Sequence, residues 1–241
     1  MDYPTELKVG SKSVTVEYEV VLKGTSSVRF SGGRVLMKLS RFVRVGQRDK
    51  MVEKFLKWAE KRLEKVDSSS WIAPVYEDGG RICTHNKNYF LTVVEAKGGK
   101  SGVKLLEGNQ IEVSLGHVVT LEEIPFKIKE LVEKRIIKDQ TPYLEDVVDE
   151  LNQLHFQEDY GMVRFKRMNG RFGSCSSKRN LNIAFRLLFA PRDVFRYVCV
   201  HELAHLREFN HSKRFWDLVH GAMPEYKIYE KWLKNSGFVL G

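Results

Sequence analysis

His201-Glu202-Leu203-Ala204-His205 fits the pattern H-E-x-x-H, and His211 follows six residues later. On a helix, positions i and i+4 lie on one face about a turn apart. Two imidazoles so spaced can converge on one tetrahedral Zn2+ with Zn–N of about 2.0–2.1 Å. Glu202 falls about 100° round the helix from His201. There it flanks the ion without binding it, and can take a proton from a water that the ion has acidified. The bland alternative is a pair of core histidines hydrogen-bonded to Glu202 or a neighbour. Burying two imidazoles and a carboxylate without partners would cost several kcal/mol, which a zinc ion offsets.

A catalytic zinc usually has three protein ligands and an open position. His211 is the nearest third candidate, but a straight helix would turn it away from His201 and His205. The helix must therefore stop near Arg207–Phe209, with Asn210 a candidate left-handed residue for the turn and Ser212 starting the next helix. Glu208, His220, Glu225 and Glu230 are the rival third ligands. A histidine site also suits Ni, Co or Cu.

The elements that must position these residues read as α+β. A β-rich N-terminal domain, residues 1–124, precedes a catalytic domain, residues 125–241, with a small sheet against the histidine helix. Residues 13–22 alternate apolar and polar, and residues 27–40 read as two strands around Gly32–Gly33. A helix is expected over Asp49–Val66, then a loop with Ser68–Trp71, then hairpins turning near Asn86–Asn88 and Glu107–Gln110. This makes one small sheet with one helix, in which His85 and His117 read as surface or turn residues. From Pro125 the spacing predicts two helices, the second capped by Thr141 with Pro142 at its first position. His155 at its end reads as a cap or surface residue. Three short strands follow, with a tight Ser176–Asn180 turn, and Pro191 opens the histidine helix. A last helix begins at Pro224 and ends near Asn235–Gly237. No internal repeat is evident.

Arg171–Ser176 or Asn182–Phe185 could form an edge strand that pairs with extended substrate. Arg171, Gly173 and Ser174 are the candidate substrate-binding residues, Arg171 for an oxyanion or a substrate carboxylate. Cys175 could be read as a nucleophile, a reading with little support once His201 and His205 go to metal. Cys199, Phe215 and Trp216 read as core packing.

The stretch HELAHLREFNHSKRFW, with the upstream GSCS hairpin, resembles the YgjP-like metallopeptidase family over about Pro125–Leu233. Over residues 1–120 the likeness is architectural only. That family is grouped with the SprT-like and WLM zinc peptidases, some of which act on proteins crosslinked to DNA. The resemblance implies a zincin-like catalytic domain, zinc held by His201, His205 and His211, and Glu202 as the catalytic base. Metzincins share the histidine spacing but carry Gly where Glu208 stands here, so the turn is made differently.

Composition bounds the partners. No window approaches 18 consecutive apolar residues and no basic start precedes an apolar run, so neither a membrane span nor a signal peptide is expected. Three distant cysteines without a CxxC pair point to a reducing, cytoplasmic setting. The net charge of +9 looks mild and spread over both halves of the chain. Residues 160–192, however, hold eight Lys/Arg and no acid, a candidate nucleic-acid contact whose bland reading is a solvated hairpin. A zinc-dependent peptidase acting on protein or peptide is therefore expected. The alternative is a DNA-associated protease or a nucleic-acid-binding protein with a structural zinc.

Overall fold

A computed structural model describes residues 3–10, 12–22, 24–31, 34–66, 74–117, 119–168 and 170–240. The expected turn at Gly32–Gly33 and the Ser68–Trp71 loop lie outside the described residues. The fold is mixed α+β, with three small sheets and five α-helices among the described residues. It divides into two compact units. Unit 1 is Met1–Trp71 with Lys227–Gly241, and unit 2 is Ile72–Tyr226. These units differ from the expected 1–124 and 125–241 division, because the second group of N-terminal strands clusters with the histidine helix.

Unit 1 opens with β1 (Glu6–Val9), β2 (Lys12–Val21), β3 (Ser27–Ser31) and β4 (Arg34–Ser40). The sheet order is β1-β2-β4-β3, with antiparallel outer pairs and a parallel β2–β4 centre. Alternation sends Val14, Val16, Val35, Met37 and Leu39 to one face. Against that face packs α1 (Val45–Leu63) through Val52, Ala59 and Leu63.

Unit 2 repeats the arrangement. Its first strands are β5 (Arg81–Cys83), β6 (Asn88–Glu95), β7 (Gly102–Leu105) and β8 (Gln110–Leu115). Their order, β5-β6-β8-β7, again joins two antiparallel pairs through a parallel centre. Thus the single sheet expected over the N-terminal half is two sheets of one topology, a repeat that the residue pattern does not display. A helix again follows, α2 (Ile124–Leu151), packing on β7 and β8.

α2 corrects a second expectation. Thr141-Pro142 does not start a helix but lies within α2. Thr141 Oγ1 donates to Ile137 O at 2.7 Å, and Gln140 and Leu144 on either side are buried. Proline removes one backbone donor and crowds the preceding turn, a cost of about 3 kcal/mol. Burial along the helix outweighs it. A π-helical turn, Asn152–Phe156, closes α2, and His155 there is exposed as expected.

A third sheet then forms from β9 (Val163–Lys166), β10 (Gly173–Cys175) and β11 (Leu181–Ala184) in the order β10-β11-β9. β11 is central and entirely buried, whereas β10 is an edge. Of the two expected edge strands, only the one around Gly173 is at an edge. α3 (Arg192–Ala204) packs on β10, β11 and α2. α4 (Lys213–Ala222) packs on α3, and α5 (Tyr226–Ser236) ends the helices. No helix among the described residues is long and apolar enough to cross a membrane.

Candidate metal centre

α3 carries His201 and Glu202 in its last turn and ends at Ala204, with His205 as its C-cap. The chain leaves the helix earlier than the sequence requires. Leu206 N bonds Leu203 O and Glu208 N bonds Ala204 O, closing a tight turn. Asn210 is not left-handed. Its Oδ1 instead accepts from Ser212 N at 3.1 Å, and Ser212 Oγ caps α4 through Phe215 N. The stop and restart therefore exist, made by side-chain acceptors rather than by a positive-φ residue.

Returned by this turn, the His211 imidazole meets the other two. The ligand atoms of His201, His205 and His211 lie within 4.8 Å of one another. His211 Nε2 is 3.0 Å from His201 Nε2. Two nitrogens on one tetrahedral ion at about 2.05 Å are about 3.3 Å apart, so the spacing suits a shared ion. His205 Nδ1 lies 3.0 Å from Glu208 O, and a proton there leaves Nε2 as a free donor to a metal. Burial and the neighbouring imidazoles push the His201 pKa down to about 3, and burial lowers that of His205. Both are neutral near pH 7, the form that binds metal. Phe215, fully buried, floors the group with its ring centroid 4.6–4.8 Å from each imidazole.

Glu202 is 4% exposed, and among the described residues its buried Oε2 has no hydrogen-bond partner. Burial pushes its pKa up to about 8, opposed by the Arg171 charge. β10 passes directly over it. A Cβ on Gly173 would come within 2.7 Å of Glu202 Cγ and Cδ, and closer still to Oε1. Gly173 is thus glycine because the strand backbone touches the carboxylate side chain. Ser174 Oγ accepts from Asn182 Nδ2 at 3.1 Å, which ties β10 to β11.

The loop carrying His211 is held from outside. Glu158 accepts from Arg207 Nε at 2.9 Å and from Arg179 Nη2 at 2.7 Å. Arg179 Nη1 also donates to Leu206 O, and Arg207 Nη2 to Phe156 O. One carboxylate so links the end of α2, the β10–β11 turn and the segment after α3. Sequence reasoning missed this clamp, because the three segments are distant in the chain.

Residues 25–236 match the YgjP-like, metallopeptidase domain family. The chain belongs to the YgjP-like metallopeptidase family. No curated protein matches it. Among solved structures it is similar to the metallopeptidase zymogen abylysin of Pyrococcus abyssi, at 21% identity and a TM-score of 0.35, over 37% of this chain and 91% of that one. It is also similar to the zymogen jannalysin of Methanocaldococcus jannaschii, at 23% identity and a TM-score of 0.30, over 36% and 94%. For this YgjP-like chain the family implies a metal ion, and three convergent imidazoles fit one.

The other sequence candidates lie elsewhere. Among the described residues no fourth His, Cys, Asp or Glu joins the three histidines. Glu208 contributes its carbonyl, His220 packs on Tyr226, and Glu230 pairs with Lys234 on α5. Burial and the Glu202 charge push the Cys175 thiol up, away from a nucleophilic thiolate. Cys199 is fully buried. His117 is exposed and pairs with Glu95 at 3.2 Å, whereas His85 is half-buried beside the Tyr143 and Phe195 rings.

Proposed function

We propose that this metallopeptidase is zinc-dependent and hydrolyses peptide bonds, with His201, His205 and His211 as ligands and Glu202 as general base. The observation that carries the reading is the convergence of three imidazoles, with the buried carboxylate of the adjacent Glu202 lacking a hydrogen-bond partner on Oε2 among the described residues. A structural zinc would ask for a fourth protein donor, and three nitrogens leave the open position of a catalytic site. Bound zinc would supply Lewis acidity, bringing the pKa of water to about 7 and polarising a carbonyl.

The chain's own residues do the rest. Glu202 takes the proton of the attacking water on its carboxylate and passes it to the leaving nitrogen. Its pKa of about 8 before any cation is present describes a group that holds a proton readily in this apolar site. A nearby cation favours the ionised form, the one that can accept a proton. The free edge of β10 aligns extended substrate by backbone hydrogen bonds, in a zincin-like arrangement of edge strand and histidine helix. Arg171, close enough to act electrostatically on Glu202, would bind a substrate carboxylate or stabilise an oxyanion.

Metal analysis of purified protein with a peptide-cleavage assay tests this. Glu202→Gln is expected to keep one zinc per chain and lose at least about 1,000-fold in cleavage, a loss at the upper part of the general-base range. His211→Ala is expected to lose most of the zinc, while Glu208→Ala keeps it. Cleavage retained by Glu202→Gln, or zinc lost in Glu208→Ala rather than His211→Ala, would overturn the assignment.

A further inference from the structure

The compact units divide the charge very unequally. Unit 2 holds 22 Lys/Arg against 21 Asp/Glu, a net of +1, and unit 1 holds 18 against 10, a net of +8. Unit 1 has 86 of the 241 residues and nearly the whole excess of +9. Division of the chain into sequence halves conceals this.

Within unit 1 the cations are not evenly placed. On the sheet, Lys8, Arg34 and Lys38 pair with Glu6, Glu17 and Glu19. On α1, Lys50, Lys54, Lys57 and Lys61 recur at steps of four, three and four, which puts them on one helix face over about 16 Å of axis. Among the described residues Lys50, Lys54 and Lys61 make no ion pair. Lys57 meets Glu53 at 2.7 Å, but both side chains are about two-thirds exposed, so water screens the pair. A groove of about 500 Å³ runs along this face, lined by Lys50, Glu53, Lys54, Lys57, Trp58 and Lys61.

The basic 160–192 block is a poorer surface. Arg167 pairs with Glu133 and Arg179 with Glu158. Arg164 bonds Asn182, and Arg186 lies over the Phe172 ring. Half of its eight cations are thus committed inside a nearly neutral unit.

We propose that the lysine face of α1 docks the phosphate backbone of a nucleic acid. A row of exposed ammonium groups, three of the four without an ion pair among the described residues, matches a rigid polyanion, which carries one charge per about 1.7 Å of duplex axis. A lipid surface fits less well, because membrane-binding helices insert an apolar face, and the Val52, Ala59 and Leu63 face of α1 is already in the core. Contacts to phosphate carry no sequence information, so binding depends on salt and not on base order.

The inference stands apart from the peptidase reading. The experiment is fluorescence anisotropy of the full chain with a labelled duplex of about 30 base pairs, between about 50 and 200 mM salt. Replacing Lys50, Lys54, Lys57 and Lys61 by Gln keeps helix propensity. That variant is expected to bind at least about 30-fold more weakly at low salt, and to flatten the log K against log salt slope by about 3 to 4. The same four positions as Arg are expected to restore binding. Arg164→Gln, Lys166→Gln and Lys178→Gln together are expected to change affinity less than about threefold, and Glu202→Gln not at all. An unchanged slope in the α1 variant with an intact circular dichroism spectrum would overturn the proposal. So would an equal loss in the Arg164/Lys166/Lys178 variant, or lysine-dependent binding to phosphatidylserine vesicles with none to duplex.

Discussion

The first four strands and α1 share their topology with the next four strands and α2, yet the two modules have different surroundings. Each has an antiparallel, parallel, antiparallel sheet with a helix after it. α1, 19 residues long, keeps one face for its own core and turns lysines to solvent. α2, 28 residues long, packs on its own sheet and also on β9 and α3. Its residues Asp139 and Gln140 bond back to the β5–β6 hairpin through Lys87, Tyr89 and Asn86. One architecture therefore serves two purposes. Left single, the module presents a charged helix. Covered by a further sheet and helix, it becomes the base on which three histidines and a carboxylate are mounted. The three histidines and Glu202 belong to the added layer, and substitutions there can be set against substitutions in the simple module.

Among residues that support Glu202 and the histidines, the largest effect is expected within the added layer, where β10 touches α3. Gly173→Val puts a branched carbon where a Cβ alone already meets Glu202. Displacing the carboxylate is expected to lower kcat by about 100-fold or more, since small misplacements of a catalytic group cost on that order. On the proposed zinc assignment, metal content is expected to stay at one per chain. In the simple module, a Cβ at Gly46 of α1 has no atom within 4 Å, so no such cost arises there. Full activity in Gly173→Val would show that β10 does not set the position of Glu202.

A smaller loss is expected from the clamp. Glu158→Gln removes the shared acceptor of Arg179 and Arg207 and loosens the segment that returns His211. Supporting residues of this kind typically change metal affinity by 10–100-fold, and the lower end, about tenfold, is expected for a partly exposed group. The visible spectrum of the Co2+-loaded protein is expected to shift with it, and Glu158→Asp to recover part of the affinity. The two arginines hold the Glu158 carboxyl below its usual range. Its contribution is therefore complete above the unfolded carboxylate pKa and disappears as pH falls through the lower folded value.

Unit 2 also carries a pH-sensitive packing contact. Burial lowers the His85 pKa to about 4, and its Nε2 lies 3.2 Å from the Tyr143 hydroxyl. Between about pH 6.5 and 4 the unfolded chain binds the proton and the folded chain does not, so stability falls as pH is lowered through that window. The slope from one such group is at most about 1.4 kcal/mol per pH unit. Urea unfolding at several pH values, comparing wild type with His85→Gln, is expected to show the variant flatter by up to this amount.

How much of this was legible in the chain follows from the range of the interactions. His201, His205 and His211 were readable because helix spacing and a forced turn are local. So were β2, the β5–β6 hairpin and the Ser212 cap. The doubled sheet was not, because the β2–β4 and β6–β8 pairings that define it are parallel and non-local. Pro142 misled because local propensity signals a start, whereas the buried face of α2 runs through it. Gly173 was picked out as a substrate contact, but the reason it must be small is a neighbour 29 positions away. Glu158 carried no local signal at all.

The smallest prediction has the opposite sign and tests the simple module on its own. Gly46 lies in the first turn of α1 with open space where a Cβ would be, and its φ is not in the left-handed region. Glycine in a helix costs about 0.5–1 kcal/mol relative to alanine, chiefly through the freedom of the unfolded chain. Gly46→Ala is therefore expected to stabilise the protein by about 0.5 kcal/mol, raising Tm by a degree or more, with cleavage unchanged. A loss of stability would mean that α1 is not held by its own sheet alone and that its amino-terminal turn meets something a bare module lacks. A gain would leave the contrast sharper: the module without the added layer tolerates a new side chain, whereas the added layer itself does not at Gly173.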